Sequence, residues 1–339
     1  MKFIKKFPLV ILLSVFLGFT FMVGCDNGTI ESIVMDPPVW VENQTYELVL
    51  LHTNDHHGRI LPVVGGTAPN ETYTGGLAER ATFVRSVRAD NTNVLLVDAG
   101  DINTGTPLSN MFAAEPDIRA YNLMGYDAAT FGNHEFDGTM VKLNKQIALA
   151  NFPFVSSNIK TSNGRFLGGN QYLVKNYDGF RVGIIGITTL RTKTIASPDA
   201  SLTFLSEISA AKAAVNQLQK YQKAGIIIAL THIGDVKETP THVTSEELAA
   251  AVPGIDIIVD GHSHSTYATP KKVGNTWIVS ANEWGKYVGN GKLTIKNGEL
   301  ADFDWQAINI YNEKNKPYAF EPAPDIKAMF VPYEAEVGP

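Results

Sequence analysis

The sequence contains a single cysteine, Cys25, in 339 residues, and it carries little positive charge. One cysteine cannot form a disulfide within the chain. Lysine and arginine number 28 against 34 acidic residues, so the formal net charge is −6. Residues 1–24 hold three lysines and no acid, so their removal would leave −9. Because an acidic protein repels the backbone of nucleic acids, polynucleotide binding is disfavoured. An acidic enzyme that acts on phosphates must neutralise them locally, and metal ions are the usual means.

The composition is otherwise that of a folded protein, with 44% hydrophobic and 18% charged residues. Such a mix is typical of globular chains rather than disordered ones. The length exceeds one average domain, although α/β sheets often hold more than about 250 residues as a single unit. We therefore expect one large α/β unit.

The first 25 residues have the pattern of an export signal. Lys2, Lys5 and Lys6 precede an apolar stretch over residues 9–23, and Gly24 stands directly before Cys25. This arrangement resembles a bacterial lipoprotein signal, in which cleavage exposes the cysteine for lipid attachment. It predicts a chain anchored to a bacterial membrane through lipidated Cys25, on the periplasmic or cell-surface side. The alternative is a membrane anchor that is not cleaved.

Beyond a polar tether over residues 25–45, short apolar runs alternate with helical patterns. The runs occupy residues 48–51, 94–97, 128–131, 182–187, 226–230 and 255–259. Short, continuous apolar runs bounded by Gly, Asp or Asn are typical of strands buried on both faces. Helices are predicted over 77–89, over 208–223 up to Gly225, and after the capping box that begins at Thr244. The alternation of strands and helices predicts a largely parallel sheet flanked by helices. Later strands are expected over 277–281 and 292–296, with an antiparallel direction left open.

The end of the chain has a different composition. Residues 311–324 are rich in Asn, Lys and Pro and are predicted to form a linker, and residues 325–331 begin a helix that Pro332 would interrupt. We therefore predict a catalytic domain over residues 46–310. Residues 311–339 would be a linker and the start of a C-terminal domain that the sequence does not contain.

Seven of the eight histidines lie close behind a predicted strand, and His242 is the exception. In open α/β sheets, ligands bind at the carboxyl ends of strands. Five clusters of polar residues occur there: Asp55-His56-His57, Gly100-Asp101, Gly132-Asn133-His134-Glu135, Thr231-His232 and Gly261-His262-Ser263-His264. Oxygen and imidazole ligands favour Mn, Fe, Zn, Co or Mg over metals selected by thiolates. Each cluster alone is a weak or moderate signal, but all five in this order predict a metal site.

These five motifs together resemble the calcineurin-like metallophosphoesterases, and in particular the branch of 5′-nucleotidases and UDP-sugar hydrolases. The resemblance covers about residues 46–310 and implies an α/β sandwich of largely parallel sheets flanked by helices. It also implies two divalent metal ions. Asp55, His57 and His264 would bind the first ion, and Asp101 would bridge the two. The family has Gln or Asn in place of His264 in some members.

For the second ion, the resemblance implies Asn133, His232 and His262 as ligands. His134, paired with Asp137, would stabilise the transition state or protonate the leaving group. Two such ions clamp a phosphoryl group and activate a water for in-line attack. A helix that starts near His134 would allow Asp137 to reach its ring and select the tautomer, although Asp137 could equally be an acid at a helix N-terminus.

Other polar residues near the clusters receive weaker predictions. Asp98 and Asp260 are expected to orient ligands rather than to bind metal. His52 and His56 are expected to pack or to support the ligands, and His242 to be solvated. Residues that border the cleft and are candidates for substrate contact are Arg59, Asn103 and Thr104. Phe83 and Phe112 are expected in the core rather than as a platform for a nucleobase.

The predicted function is metal-dependent hydrolysis of nucleoside monophosphates, with UDP-sugars or cyclic nucleotides as further candidates. In the resembled family, a C-terminal domain binds the nucleobase and phosphate, and a partner chain could supply it here. Two alternatives stay open. One is a dimanganese hydrolase of the sulfur-oxidation type, and the other is a surface lipoprotein that binds partners after loss of activity.

Overall fold

The computed structural model describes residues 40–316 and 318–338. The predicted signal peptide over residues 1–24, Cys25 and most of the tether lie outside the described residues. Among the helices that are described, none combines the length and the apolar character needed to cross a membrane.

The first sheet has five strands and is mixed. Its parallel part consists of β1 (Thr45–Thr53), β4 (Val94–Asp98) and β5 (Ala128–Ala129). On the other side of β1, β14 (Tyr287–Lys296) and β15 (Glu299–Asn309) add antiparallel strands. The predicted run 128–131 is shorter as a strand than expected, because only its first two residues pair with β4.

The second sheet has six strands, and its four central strands are parallel: β8 (Phe180–Thr188), β10 (Ile226–His232), β11 (Ile257–Asp260) and β13 (Thr276–Val279). Antiparallel strands close both edges, namely β7 (Tyr172–Tyr177) beside β8 and β12 (Lys271–Val273) beside β13. The first sheet is therefore parallel on one side of β1 and antiparallel on the other, whereas the second is parallel at its centre and antiparallel at both edges.

Two small sheets complete the strands. One contains β2 (Val63–Gly65), β3 (Thr72–Thr74) and β16 (Tyr311–Glu313), and the other pairs β6 (Ile159–Lys160) with β9 (Thr203–Phe204). The expectation of a linker throughout 311–324 is therefore wrong at its start. A three-residue edge strand is too short to show a periodic pattern in the sequence.

The α-helices of the described residues are α1 (Leu77–Asp90), α2 (Pro107–Met111), α3 (Glu115–Met124), α4 (Met140–Leu149), α5 (Thr192–Ile195), α6 (Glu207–Gln217), α7 (Ser245–Ala251) and α8 (Pro324–Val337). Short 3₁₀-helices occupy His134–Phe136 and Leu167–Gly169, and a π-helical turn over Leu218–Gln222 continues α6. The capping box predicted at Thr244 is confirmed, since Thr244 and Glu247 exchange side-chain hydrogen bonds. Lys223, rather than Gly225, adopts the left-handed conformation that ends α6 and its π-turn.

The last helix differs from the expectation, because α8 continues through Pro332. Proline removes one backbone donor and disfavours a helix interior. Here the packing of Ile326 and Phe330, both buried in the core between the first sheet and its helices, favours the helix.

The core has two parts that lie on opposite faces of the first sheet. Along β1, Leu48 and Leu50 face the second sheet, while Val49 and Leu51 face α1 and α3. The second sheet is covered on its outer face by α6 and α7. Phe83 is buried and Phe112 packs against the helical side of the core, as predicted. The layers are thus helices, sheet, sheet and helices, and the central strands of both sheets end at one edge of this sandwich.

Candidate metal centre

The seven predicted ligands come together where the strands of both sheets end. Asp55 and His57 follow β1, Asp101 follows β4 and Asn133 follows β5. His232 is the last residue of β10, and His262 and His264 follow β11. Asp55, His57, Asp101, His232 and His264 fall in overlapping groups in which the potential ligand atoms lie within 4.8 Å of one another, and one of these groups also contains His134. The ring of His262 is 5.3 Å from that of His232, and Asn133 directly precedes His134, whose backbone N–H donates to Asp101.

The first group contains Asp55, His57 and His264. The Nε2 atoms of His57 and His264 are 3.1 Å apart. Asp55 Oδ1 lies 3.4 Å from Nε2 of His264 and 3.9 Å from Nε2 of His57. The Nδ1 atom of His57 lies 3.0 Å from the carbonyl oxygen of Thr104, and a carbonyl can only accept. Nδ1 therefore carries the proton in neutral His57, and Nε2 presents a lone pair to the centre.

The second group contains Asn133, His232 and His262. His232 Nδ1 donates to the carbonyl oxygen of Ala99 at 2.8 Å, so its Nε2 also faces the centre. Within the described part of the chain, Asn133 Oδ1 is buried and makes no hydrogen bond. His232 Nε2 and His262 Nε2 are also buried without a well-oriented hydrogen bond, and they lie 3.0 Å from Asp101 Oδ2 and 3.4 Å from Glu238 Oε2, respectively. Buried polar atoms that lack a hydrogen bond are costly and rare. An amide oxygen and two imidazole nitrogens beside carboxylates are what a site for a cation would contain.

Asp101 lies between the two groups. Its Oδ2 atom is 3.0 Å from His232 Nε2 and 3.8 Å from His57 Nε2. Its other oxygen, Oδ1, accepts the backbone N–H of His134 at 2.8 Å. A carboxylate in this position could offer an oxygen to ions in both groups, as the resemblance implies for Asp101.

The electrostatics also favour a cation. Burial disfavours charge on His232, but Asp101 and Asp55 outweigh it and raise the pKa of His232 to about 10. Burial likewise opposes charge on Asp101, yet His232 holds the pKa of that carboxyl well below its usual range. By contrast, burial lowers the pKa of His262 to about 3, and it lowers the pKa of His57 as well. Asp55 and Asp101 thus hold positive charge at the centre in the form of a proton on His232, and a divalent ion would take the place of that proton.

The backbone of the ligands is strained. Five of them adopt a positive φ: Asp55, His57, Asp101, His262 and His264, with φ between 51° and 81°. Such conformations cost on the order of 1–3 kcal/mol each in residues other than glycine, and they cluster at functional sites. Gly100 turns the chain at φ 92°, as its position before Asp101 predicted. At Gly132, an added Cβ would overlap the Asp101 carboxylate.

His134 and Asp137 lie at the edge of the centre. His134 begins the 3₁₀-helix, and its Nδ1 lies 2.6 Å from Asp137 Oδ2. This hydrogen bond raises the pKa of His134 to about 9. The His134 ring is 5.0 Å from the ring of His57, and a cavity of about 230 Å³ adjoins Asp137, with Asn103 and Thr104 in its wall. The His134 side chain is 35% exposed, and one of its ring nitrogens lies within 4.8 Å of the potential ligand atoms of His57 and Asp101.

Two residues of the site received no role in the sequence analysis. The buried carboxylate of Glu135 accepts the backbone N–H groups of Asp101, Ile102 and Gly132, at 2.9, 2.8 and 2.5 Å. Asn54 donates to Asp55 Oδ2 at 2.7 Å and accepts the N–H of Ala281 at 2.8 Å. Glu135 is part of the quoted Gly-Asn-His-Glu string, but nothing in the sequence indicates partners more than 30 residues earlier in the chain.

The remaining histidines do not reach the centre. His52 is buried and accepts the indole N–H of Trp305 at 2.9 Å. His56 is buried between Arg80 and Asp117, at 2.9 and 3.0 Å. The prediction for His242 is wrong, because its ring is buried and its Nε2 lies 2.5 Å from the carbonyl oxygen of Ile233. A polar sequence around a histidine does not show whether the loop folds over it.

Asp98 and Asp260 support the backbone near the ligands. Asp98 accepts from the side chains of Thr53 and Tyr121 and from the N–H of Gly100. Asp260 accepts from Thr231 at 2.7 Å and more weakly from two following N–H groups. Burial raises the pKa of each to about 6. Their orienting role stays a prediction, since they act on the loops rather than on a ligand side chain.

Each of the three candidates for substrate contact already interacts with another residue of the chain. Arg59 lies over the ring of Trp284, 4.2 Å from its centroid. Asn103 donates to the carbonyl of His134 at 2.9 Å, while Thr104 offers its carbonyl to His57. Substrate contact by these residues stays a prediction.

The chain matches a known protein family and several curated proteins. Residues 48–266 match the family model described as calcineurin-like phosphoesterase. Protein UshA of Yersinia enterocolitica is 37% identical over 81% of this chain and 54% of its own length. The 5′-nucleotidase of Vibrio cholerae is 35% identical over 81% and 54%. The chain therefore spans about half the length of the curated relatives it matches.

Solved structures agree with this result. The crystal structure of a 5′-nucleotidase precursor from Thermus thermophilus superimposes with a TM-score of 0.77 at 30% identity, over 86% of this chain and 59% of that one. The sulfate thiohydrolase SoxB from Thermus has a TM-score of 0.75 over 85% of this chain and 60% of its own, but only 20% identity. At that identity the likeness shows a shared fold alone.

Proposed function

The chain belongs to the calcineurin-like phosphoesterase family, in the branch of UshA and the 5′-nucleotidases, and from this premise we propose that it hydrolyses nucleoside monophosphates. The family and the sandwich fold predicted from the motifs are confirmed. The observation that carries the proposal is the overlap of two groups, Asp55-His57-His264 and Asp55-Asp101-His232, in each of which the potential ligand atoms lie within 4.8 Å of one another.

The residues fit two divalent ions, for which we propose Mn, Zn, Co, Fe or Mg. Asp55, His57 and His264 would bind the first, Asn133, His232 and His262 the second, and Asp101 both. When bound, such ions offset phosphoryl charge and make a water nucleophilic near neutral pH. Asn133 is a neutral ligand, so it adds no negative charge that would repel the phosphate.

The chain's own acid is proposed to be His134. With its pKa raised to about 9, His134 is protonated at neutral pH, and its Nδ1–H donates a hydrogen bond to Asp137. The proton on Nε2 can then be donated to a phosphoryl oxygen or to the departing alkoxide of the ester.

The proposal is tested by phosphate release from the full-length chain after treatment with EDTA and reloading with Mn, Co or Zn. We expect phosphate release from p-nitrophenyl phosphate, and faster phosphate release from AMP than cleavage of UDP-glucose to UMP and glucose 1-phosphate. EDTA should abolish each activity, and metal should restore it. If the chain binds metal but releases no phosphate from any substrate, the proposal is contradicted for this chain alone. That result would favour either a surface lipoprotein that binds partners or an enzyme that needs a separate substrate-binding domain.

We also propose that the chain is exported and anchored through a lipid on Cys25, supported by the lysines, the apolar stretch and Gly24 that precede it. In a bacterial host, the wild-type chain should lose residues 1–24 and enter the detergent phase of a Triton X-114 extraction. The Cys25→Ser variant should keep residues 1–24 and lack the lipid mass at its N-terminal peptide. Equal processing of both proteins would contradict lipidation.

A further inference from the structure

The segment Ser280–Lys286 joins β13 of the second sheet to β14 of the first and passes beside the first ligand group. Its backbone is unusual, because Asn282, Trp284 and Gly285 all have a positive φ of 60–65°. For a bulky residue such as tryptophan this conformation is a genuine outlier. Contacts with neighbouring residues must therefore hold this connection in place, and several of those residues belong to the metal centre.

This segment is hydrogen-bonded to ligands from both sheets. The backbone N–H of Trp284 donates to the carbonyl of Asp55 at 2.7 Å. The amide of Asn282 donates to the carbonyl of His264 at 2.9 Å, and Asn54 donates to the carbonyl of Asn282 at 2.6 Å. The segment therefore sets the position of Asp55, from the first sheet, relative to His264, from the second.

Glu283, at the middle of the segment, contacts the ring of His264. Its Oε2 atom lies 2.7 Å from His264 Nδ1, and its Oε1 atom lies 2.8 Å from Lys286 Nζ. Since a carboxylate only accepts, Nδ1 of His264 carries the proton. Nε2 is then directed at His57 Nε2, 3.1 Å away, and at Asp55 Oδ1, 3.4 Å away.

His264 is the ligand that depends most on such a contact. Its side chain is 38% exposed, whereas that of His57 is 10% exposed and that of Asp55 is fully buried. Packing alone therefore leaves the His264 ring room to rotate. The second oxygen of Glu283 is fixed in turn by Lys286, whose ammonium lies 4.1 Å from the centroid of the Trp284 ring.

We propose that Glu283 is a positioning residue for the first metal ion. It acts through the His264 ring, where it fixes the orientation and tautomer that direct Nε2 to the ion. Hydrogen bonds from carboxylates to the far nitrogen of a ligating histidine are a general device for this purpose. The proposal rests on the two-metal site of the proposed function, and it gives a reason for a carboxylate at position 283 when position 264 is histidine.

The test is a double-mutant cycle on the full-length chain, with Mn²⁺ as the probe and free Mn²⁺ measured by electron paramagnetic resonance. The variants are Glu283→Gln, His264→Gln and the double variant. We expect two Mn²⁺ sites in the wild-type chain, and Glu283→Gln should weaken one of them by about 10- to 100-fold. In the His264→Gln background the same change should alter affinity by less than about twofold, because glutamine has no ring to orient.

A structural role for Glu283 would give a different pattern. If Glu283 merely stabilises its own segment with Lys286, its loss weakens Mn²⁺ binding equally in both backgrounds, and the proposal is overturned. Lys286→Met serves as the matched control for the segment and should have a smaller effect than Glu283→Gln. Should Glu283→Gln fail to fold, Glu283→Asp keeps the charge but retracts it from the ring, and the same weakening is expected.

A spectroscopic readout reports on the ring itself. In the Zn²⁺-loaded wild-type chain, long-range ¹H–¹⁵N spectra should show His264 protonated at Nδ1, with the signal assigned by its loss in His264→Gln. Protonation at Nε2 would overturn the proposal even if activity were normal. A wild-type chain that binds no Mn²⁺ would instead contradict the two-metal site, so failure of this inference can be distinguished from failure of the proposed function.

Discussion

Replacing Asp101 by asparagine is expected to lower kcat/KM for p-nitrophenyl phosphate by at least about a thousandfold. Oδ2 of Asp101 lies between the two ligand groups, 3.0 Å from His232 Nε2 and 3.8 Å from His57 Nε2. The amide keeps the size of the side chain but removes its charge and one metal-binding oxygen. A bound cation contributes several kcal/mol to stabilising charge in the transition state, and about 1.4 kcal/mol corresponds to a factor of ten in rate.

The metal content of the variant tests the reason for this loss. Elemental analysis should find fewer than two metal ions per chain in Asp101→Asn, with the far-UV circular dichroism unchanged. The matched control is Asp98→Asn. Asp98 is the last residue of β4, the strand that precedes Asp101, but it contacts Thr53, Tyr121 and Gly100. It should retain both ions and lose less than about tenfold in rate. An Asp101→Asn protein with two ions and more than a tenth of the activity would refute the bridging role.

Replacing His134 by asparagine should lower kcat by about 10²- to 10⁴-fold, the range for loss of a general acid, and leave the metal content unchanged. The reason is that the His134 side chain stands at the edge of the centre, held by Asp137 at 2.6 Å rather than by the ligands. Steady-state kinetics and elemental analysis on the same preparation measure both effects. Loss of metal from His134→Asn would show that the role assigned to His134 is wrong.

The pH profile separates His134 from a merely structural residue. A protonated acid is lost as pH rises through its pKa, so kcat should fall above about pH 9, the pKa to which Asp137 raises His134. In Asp137→Asn the charge that raises this pKa is gone, and the alkaline limb should move towards about pH 6.5, the ordinary value for histidine. An alkaline limb that stays in place in Asp137→Asn would assign the titration to another group.

The sequence predicts the long buried strands well and the short ones poorly. The runs at 48–51, 94–97 and 226–230 lie inside β1, β4 and β10, because strands buried on both faces are continuously apolar. By contrast, β16 has three residues and pairs only with β3, so its position depends on contacts far along the chain. Helix α8 continues past Pro332 because Ile326 and Phe330 are buried, and burial of this kind is a tertiary effect.

In the candidate site too, short motifs could be predicted from the sequence, whereas contacts between residues far apart in the chain could not. The seven predicted ligands could be named because each ends or follows a strand in a recognisable motif. The structure places Asp55, His57, Asp101, His232 and His264 in overlapping groups, and the roles of all seven as ligands stay a prediction. Glu135 and Glu283 could not be assigned, because one binds backbone groups and the other binds a histidine 19 residues earlier. The positive φ of Asp101 and His264 is likewise invisible in the sequence, since it is imposed by the surrounding fold.

Both sheets supply residues to the predicted ligand set. Asp55, His57, Asp101 and Asn133 extend from the first sheet, and His232, His262 and His264 from the second. Ions held by residues of both sheets would bind the folded state in preference to the unfolded one, so the melting temperature should rise with the concentration of free metal. At a hundredfold excess over Kd, this linkage adds about 2.7 kcal/mol for each ion. The supply of metal would therefore affect the stability of the folded protein as well as its catalytic activity.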